Sequence, residues 1–334
     1  MIPGKLSNSF LSELLSKLSN SDSRVLVGPS VGEDSAVIDF SDKVVAVSSD
    51  PITFATEYLG WYLVQINAND VAVSGAVPKW FLATLLFPET YSEDQIRVVF
   101  EQVVSACEAL SITLVGGHTE IVSGIQKPIG CGTMIGEANR SDILMTSAAQ
   151  TGDRIILTSG IAIEGTAILA RECSTDLLNA GIDSETIERA ADYLWNPGIS
   201  VLKQSSIVSQ NSKVSSMHDV TEGGLSTALS EMSIASNVGM LINLREIKVL
   251  PETQTICDVL GLNPLGLISS GALIISIKKE GVKELINSLE SQGFSAFEIG
   301  EIISRDCGLK LNAGNGEIIS MTRFDRDELA RFFG

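Results

Sequence analysis

Histidine is nearly absent from this 334-residue chain, with two copies, His118 and His218, and aromatic residues make up only 5% of it. Cations are also scarce: 23 basic residues face 41 acids, a formal net charge of −18. A surface of that sign repels nucleic acid and anionic lipid, so neither is an expected partner. It accepts a polyphosphate only when the phosphates arrive with a cation, and carboxylates that hold Mg²⁺ would supply one. No apolar run reaches the ~20 residues needed to cross a bilayer. The opening Met1-Ile2-Pro3-Gly4-Lys5 lacks the basic-then-apolar pattern of a secretory signal. The five cysteines (Cys107, Cys131, Cys173, Cys257 and Cys307) are scattered, odd in number and free of any Cys-x-x-Cys pair. That argues against a zinc site or a disulfide framework and makes a reducing cytoplasm the expected location. Neither GxGxxG nor GxxxxGK[ST] occurs, so Rossmann and P-loop nucleotide sites are unsupported.

What is present suffices for two α/β or α+β domains with ample core, at 44% hydrophobic residues. Phe10, Leu14, Leu15 and Leu18 predict a helix over 7–19. Short β-branched runs at 35–40 and 43–48, joined by Ser41-Asp42, predict two tightly connected strands. A helix over 57–74, a strand over 81–87 and a helix capped by Ser92 and running to about 110 follow. Strands at 112–115 and 128–136 complete the half. The loop at 150–153 predicts a boundary, giving domains 1–150 and 151–334. In the second half, helices are expected near 164–172, 185–194, 199–210, 224–236 and 280–292. Strands are expected near 154–158, 213–217, 239–244, 272–277 and 297–303.

Four polar strings interrupt this pattern. Val31-Gly32-Glu33-Asp34 puts an acidic pair at the mouth of a strand, and Ser48-Ser49-Asp50-Pro51 presents Asp50 at the end of the next. If those strands are neighbours, Asp34 and Asp50 converge on one cation. Asn67-Ala68-Asn69-Asp70 lies in the following helix, where Asn67 and Asp70 share a face. The histidines sit in Gly116-Gly117-His118-Thr119-Glu120 and His218-Asp219-Val220-Thr221-Glu222-Gly223-Gly224. Asp219 and Glu222 are expected at the start of a helix whose free N–H groups favour phosphate. Asp219 fits two roles equally, N-cap or cation ligand, and His218 fits either a backbone-bonded core residue or a chemical role.

In order and spacing these strings, with Asn69-Asp70-Val71-Ala72-Val73-Ser74-Gly75-Ala76-Val77-Pro78, resemble the aminoimidazole ribonucleotide synthetase superfamily over nearly the whole chain. The resemblance implies an N-terminal α+β domain that dimerises through a shared β-barrel, a C-terminal α/β domain, and ATP with Mg²⁺. Carried over, Asp34, Asp50, Asp70 and Asp219 would hold Mg²⁺. ATP would be bound by Asp34, Asp50, Asn69, Asp70, Gly117, Thr119, Asp219, Gly223 and Gly224. Asp70, His218 and His118 are the catalytic candidates, the aspartates carrying the stronger argument. Within the superfamily the HypE branch is the nearest in pattern, through His218-Asp219-x-Thr221-x-Gly223-Gly224-Leu225, the helix 165–172 and Ile268-Ser269-Ser270-Gly271. Two departures weigh against carbamoyl-to-nitrile chemistry: Glu222 replaces an arginine, and the Pro-Arg-x-Cys tail has no counterpart in Arg331-Phe332-Phe333-Gly334. The thiamine monophosphate kinase branch has an aspartate where His118 stands, and selenophosphate synthetases use a cysteine or selenocysteine earlier than Cys107. The implied activity is ATP- and Mg²⁺-dependent activation of a small substrate, by phosphoryl transfer or dehydration, in a homodimer, with a protein partner as a further expectation. Two alternatives stand beside it: a thiamine- or purine-type kinase or amidine-forming ligase, and a nucleotide-binding partner protein without catalysis.

Overall fold

A computed structural model describes residues 6–18, 22–314, 317–324 and 326–334. Met1–Lys5, on which the reading of the opening segment rests, lie outside the described residues, as does the end of the first predicted helix. The chain divides into two compact units. The first comprises residues 22–28 and 34–143; the second comprises 1–21, 29–33 and 144–334. The crossing therefore comes at Leu144, ahead of the boundary expected after 150. Side-chain bonds hold the intervening residues to the second unit. Glu33 accepts from the backbone amides of Thr146 and Ser147 at 3.2 and 3.1 Å, and the Thr146 carbonyl accepts from Ser216 and Ser236 hydroxyls at 2.9 and 2.7 Å.

Helix α1 (Asn8–Leu15) opens the second unit and is capped by Ser7. The first unit then runs β1 (Val25–Val27), β2 (Ala36–Phe40), β3 (Lys43–Ser48), β4 (Pro51–Ile52), α2 (Leu59–Val73), β5 (Val77–Pro88), α3 (Glu93–Ala109), β6 (Thr113–Val122) and β7 (Ile129–Ala138). Its sheet has the order β1-β2-β3-β7-β5-β6, with β4 also on β7. Only β5 and β6 pair in parallel. Strand β7 alternates half-buried and buried residues along its length, the pattern of a sheet covered on one face. The covering helix is α2, which is buried on every side because α3 lies over it. Ser92 starts α3 with a capping box: its hydroxyl accepts from the Gln95 amide at 3.3 Å, while Gln95 Oε1 accepts from the Ser92 amide at 2.9 Å.

The second unit continues with β8 (Arg154–Thr158), α4 (Ile163–Glu172), α5 (Ser174–Asn179), α6 (Ser184–Asp192), α7 (Leu202–Ser209), β9 (Val214–Asp219), α8 (Gly224–Ser236), β10 (Gly239–Asn243), α9 (Pro251–Leu260), β11 (Leu273–Ile277), α10 (Val282–Ser291), β12 (Ala296–Ile303), β13 (Leu309–Asn312), β14 (Ile318–Ser320) and α11 (Glu328–Phe333). Its sheet order is β14-β13-β10-β12-β8-β11-β9. Ile155, Leu157, Ile274, Leu229, Met232 and Met240 form part of its fully enclosed core. Both units are thus mixed α/β, as expected, and each sheet is open: among the described residues neither closes into a barrel within one chain. No helix among them is long and apolar enough to cross a membrane.

Candidate active site

In the first unit the polar strings meet at one end of the sheet. The β2–β3 ladder ends at the Ala36–Val47 pair, two residues short of Asp34 and three short of Asp50. Strand β3 ends at Ser48, whose hydroxyl donates to Asp70 Oδ2 at 2.6 Å, and Asp70 is 5% exposed. Asn67, one turn earlier on α2, clamps the backbone of Asp50. Its Oδ1 accepts from the Asp50 amide at 2.9 Å, and its Nδ2 donates to the Asp50 carbonyl at 3.2 Å and to the Leu63 carbonyl at 2.8 Å. The close approach depends on β7, since a Cβ on Gly132 would fall 2.4 Å from Asn67 Nδ2. Asn69, beside this clamp, is fully buried. Asn67 and Asp70 are therefore tied to two strand ends, which offsets the cost of placing them in a buried helix. Asp34, Asp50 and Asp70 carry oxygen donors of the kind that suits a hard cation such as Mg²⁺, but among the described residues their three carboxylates do not lie within 4.8 Å of one another.

His118 is not part of that gathering within the chain. The glycine-histidine string is not a turn but the middle of β6, an exposed edge strand. Registers place Pro51 opposite Cys131, Cys131 opposite Thr84, and Thr84 opposite His118. Three strand spacings, about 14 Å, separate His118 from the Asp50 end of β4. Gly117 is required there by contact: its φ is +147°, and a Cβ would lie 1.9 Å from the Ala83 carbonyl oxygen. Gly117 and Thr119 follow the same strand; Nε2 of His118 stands 3.4 Å from Glu120, an exposed pair of little energetic weight.

The second unit builds its own polar centre. His218 and Asp219 are the last two residues of β9, both buried, and His218 Nε2 lies 3.3 Å from Glu231 Oε2 on α8. Asp219 is therefore not the N-cap of α8. That place belongs to Gly223, in a left-handed conformation with φ of +84° and no side-chain cap of its own. The cap comes from the far end of the chain: Asp327 accepts from the Gly223 amide at 2.6 Å and from the Leu329 amide at 2.7 Å. A carboxylate oxygen thus already occupies the N–H that a helix start offers to anions. Burial pushes the Asp327 carboxyl up to about 7, against the pull of those two amides. Glu164, in the first turn of α4, receives the Ser270 amide at 3.4 Å. Burial pushes it to about 7 as well, and the nearby charges of Asp327 and Glu222 add to the rise.

Sequence reasoning did not single out Glu164, Glu231 or Asp327. Glu164 could have been found as an acid opening an otherwise apolar helix; Asp327 carries no local signal, because its partner is 104 residues away. The Glu164 shift has a testable sign. Its folded value of about 7 lies above the ordinary 4.5, so the native state keeps the proton between them. Stability from this group is fully present below about 4.5 and is lost as pH rises to about 7. Glu164→Gln should flatten that stretch of the stability–pH curve and leave the protein more stable than the parent at pH ~8, as urea unfolding across the range would show. A parent curve flat over the same window overturns the assignment.

Comparison with known proteins agrees with this architecture. Residues 32–138 match the N-terminal domain, and residues 150–311 the C-terminal domain, of the AIR synthase related proteins. The chain is 29% identical to a putative hydrogenase expression/formation protein of Methanocaldococcus jannaschii over 77% of this chain and 75% of that one. It is 26% identical to the carbamoyl dehydratase HypE of Escherichia coli, over 77% and 74% respectively. The crystal structure of E. coli HypE superposes with a TM-score of 0.75 at 20% identity, covering 97% of this chain and 98% of that one. A HypE structure in complex with ATP gives 0.68 at 20% identity, over 96% and 91%. At such identities the structural likeness is one of fold. The two matched domains together span most of the sequence, and the chain belongs to the AIR synthase related family, among which it is similar to HypE proteins.

Proposed function

We propose that this protein is an ATP- and Mg²⁺-dependent enzyme of HypE type that activates a small substrate by phosphoryl transfer or dehydration. The observation that carries the reading is the anchoring of two acids at strand ends of the first unit: Asp70 bonded by Ser48, and Asp50 held through its backbone by Asn67. Support comes also from the relatives, one named a carbamoyl dehydratase and one crystallised with ATP. Bound Mg²⁺ would neutralise phosphate charge during transfer, which is where most of the rate enhancement in such chemistry arises. The chain's own residues supply positioning. Ser48 fixes the rotamer of Asp70, and the Asn67 clamp sets where the Asp50 carboxylate leaves the strand end.

We assign the homodimer to the first unit. Among the described residues the outer edge of β6 has no strand partner, and Val77, Trp80, Val115 and Ile121 are exposed on β5 and β6. An open edge flanked by apolar side chains favours pairing with a second copy. One pair of measurements tests both parts. Calorimetry should show saturable ATP binding that EDTA abolishes, and sedimentation velocity should show a dimer. The absence of Mg²⁺-dependent ATP binding sinks the enzymatic reading, and a monomer at tens of micromolar sinks the dimer.

A further inference from the structure

The segment that supplies Asp327 also brings two cations to the same place. A pocket of about 80 Å³ in the second unit is lined by Arg323, Arg326, Glu222, Glu231 and Asp327, along with Thr227 and Ser230. That is several times the roughly 10–15 Å³ one water needs. Arg326 is half-buried, and its Nε is enclosed with no hydrogen-bond acceptor among the described residues. In a chain with 18 more acids than bases, a half-buried guanidinium Nε–H with no acceptor among the described residues is an unmet donor suited to an anion.

The arginines are held in place by the strap that carries them. The Ser226 hydroxyl donates to the Thr322 carbonyl at its start. Phe324 packs against Gly266 so closely that a Cβ there would stand 2.3 Å from the ring. Asp327 accepts from the Gly223 amide at 2.6 Å at its end. Three anchors on both sides of Arg323 and Arg326 give the pocket a preformed cationic wall. Glu222 and Glu231 line the same pocket and disfavour a ligand that is only anionic.

We infer that this pocket is a subsite for a small zwitterion, whose carboxylate is received by Arg326 with Arg323 at the rim and whose amine faces Glu222 and Glu231. Amino-acid-like molecules of five to ten heavy atoms, roughly, match both its size and its two-signed lining. That this ligand is the acceptor substrate rests on the proposed ATP-dependent activity; its binding does not.

Calorimetry on the full chain with glycine, β-alanine and L-asparagine tests the assignment, with acetate, ammonium chloride and inorganic phosphate as single-charge controls. At least one zwitterion should bind saturably and more tightly than every control. Arg326→Gln should weaken that binding by about 10–100-fold, the loss expected for a charged hydrogen bond, while Arg326→Lys recovers part of it. The urea midpoint and the Mg²⁺–ATP affinity of Arg326→Gln should match the parent. Absence of zwitterion binding overturns the subsite, and so does equal binding of acetate or phosphate, or an affinity untouched by Arg326→Gln in a folded variant. A parent that binds the zwitterion but not Mg²⁺–ATP leaves the subsite standing and removes the proposed activity.

Discussion

Gly224→Ala should cost the second unit roughly 3 kcal/mol of unfolding free energy, as the sum of two separable effects. The first is backbone strain. Gly224 has φ of +63°, a conformation that a residue with a Cβ adopts at a cost of about 1–2 kcal/mol. The second is crowding by groups that cannot swing aside. A Cβ at 224 would lie 2.6 Å from the Leu265 carbonyl oxygen, 2.8 Å from that of Leu267 and 2.9 Å from the Leu267 amide nitrogen. All three are backbone atoms, and the same loop is pressed from its other side by α4, where a Cβ on Gly165 would meet the Leu267 side chain at 2.5 Å. The loop has no direction in which to yield, so the overpacking adds about 1–3 kcal/mol. Gly261→Ala is the matched control. Its φ is +64°, and nothing lies within 4 Å of its Cβ position, so only the strain should appear. Urea unfolding followed by circular dichroism measures both variants. Equal losses would show that the Leu265–Leu267 loop gives way and that Gly224 is needed for its φ alone.

What could be read from the sequence follows the range of the forces involved. Period and punctuation are local, and they placed β3, β8 and α8 to the residue or nearly so, and Ser92 as the cap of α3. The clustering of Ser48, Asp50 and Asp70 was partly legible too, because α2 follows β4 directly and its polar residues had to find partners in a buried helix. Other features depend on distant chain. The string around His118 lies beyond the strand expected at 112–115 until β5 is beside it; then Gly117 is seen to be a glycine because Ala83 is in the way. Asp219 looks like a helix cap until β9 is found to run through it, and the cap comes instead from Asp327. Glu33 looks like half of an acidic ligand pair, yet it is spent on the amides of Thr146 and Ser147. Helix α9 was missed altogether, although Pro251 at its first turn is a recognisable start. No local pattern carries a contact made across 100 residues, which is why the strap with Arg323, Arg326 and Asp327 was invisible.

The largest functional effect is expected at Asp70, and it should come without a loss of stability. Asp70 is 5% exposed and accepts a 2.6 Å hydrogen bond from Ser48. A carboxylate so enclosed carries a desolvation penalty that its hydrogen bonds only partly offset. Asn at this position keeps an acceptor for Ser48 and sheds the charge, so Asp70→Asn should unfold at the same urea concentration as the parent or a higher one. The charge is what a hard cation needs. If Asp70 holds Mg²⁺ in the proposed site, its loss should weaken Mg²⁺–ATP binding by at least the 10–100-fold that follows removal of a supporting partner. Ser48→Ala is that lesser change: it leaves the carboxylate but frees its orientation, and it should cost about 10-fold, toward the low end of the same range. The order of the three proteins therefore discriminates. Parent, Ser48→Ala and Asp70→Asn should bind Mg²⁺–ATP with successively lower affinity in calorimetry. Any ATP binding that survives in EDTA should be the same for all three. An Asp70→Asn protein that is folded and binds Mg²⁺–ATP as tightly as the parent would remove Asp70 from the cation site and with it the geometric basis of the proposed activity.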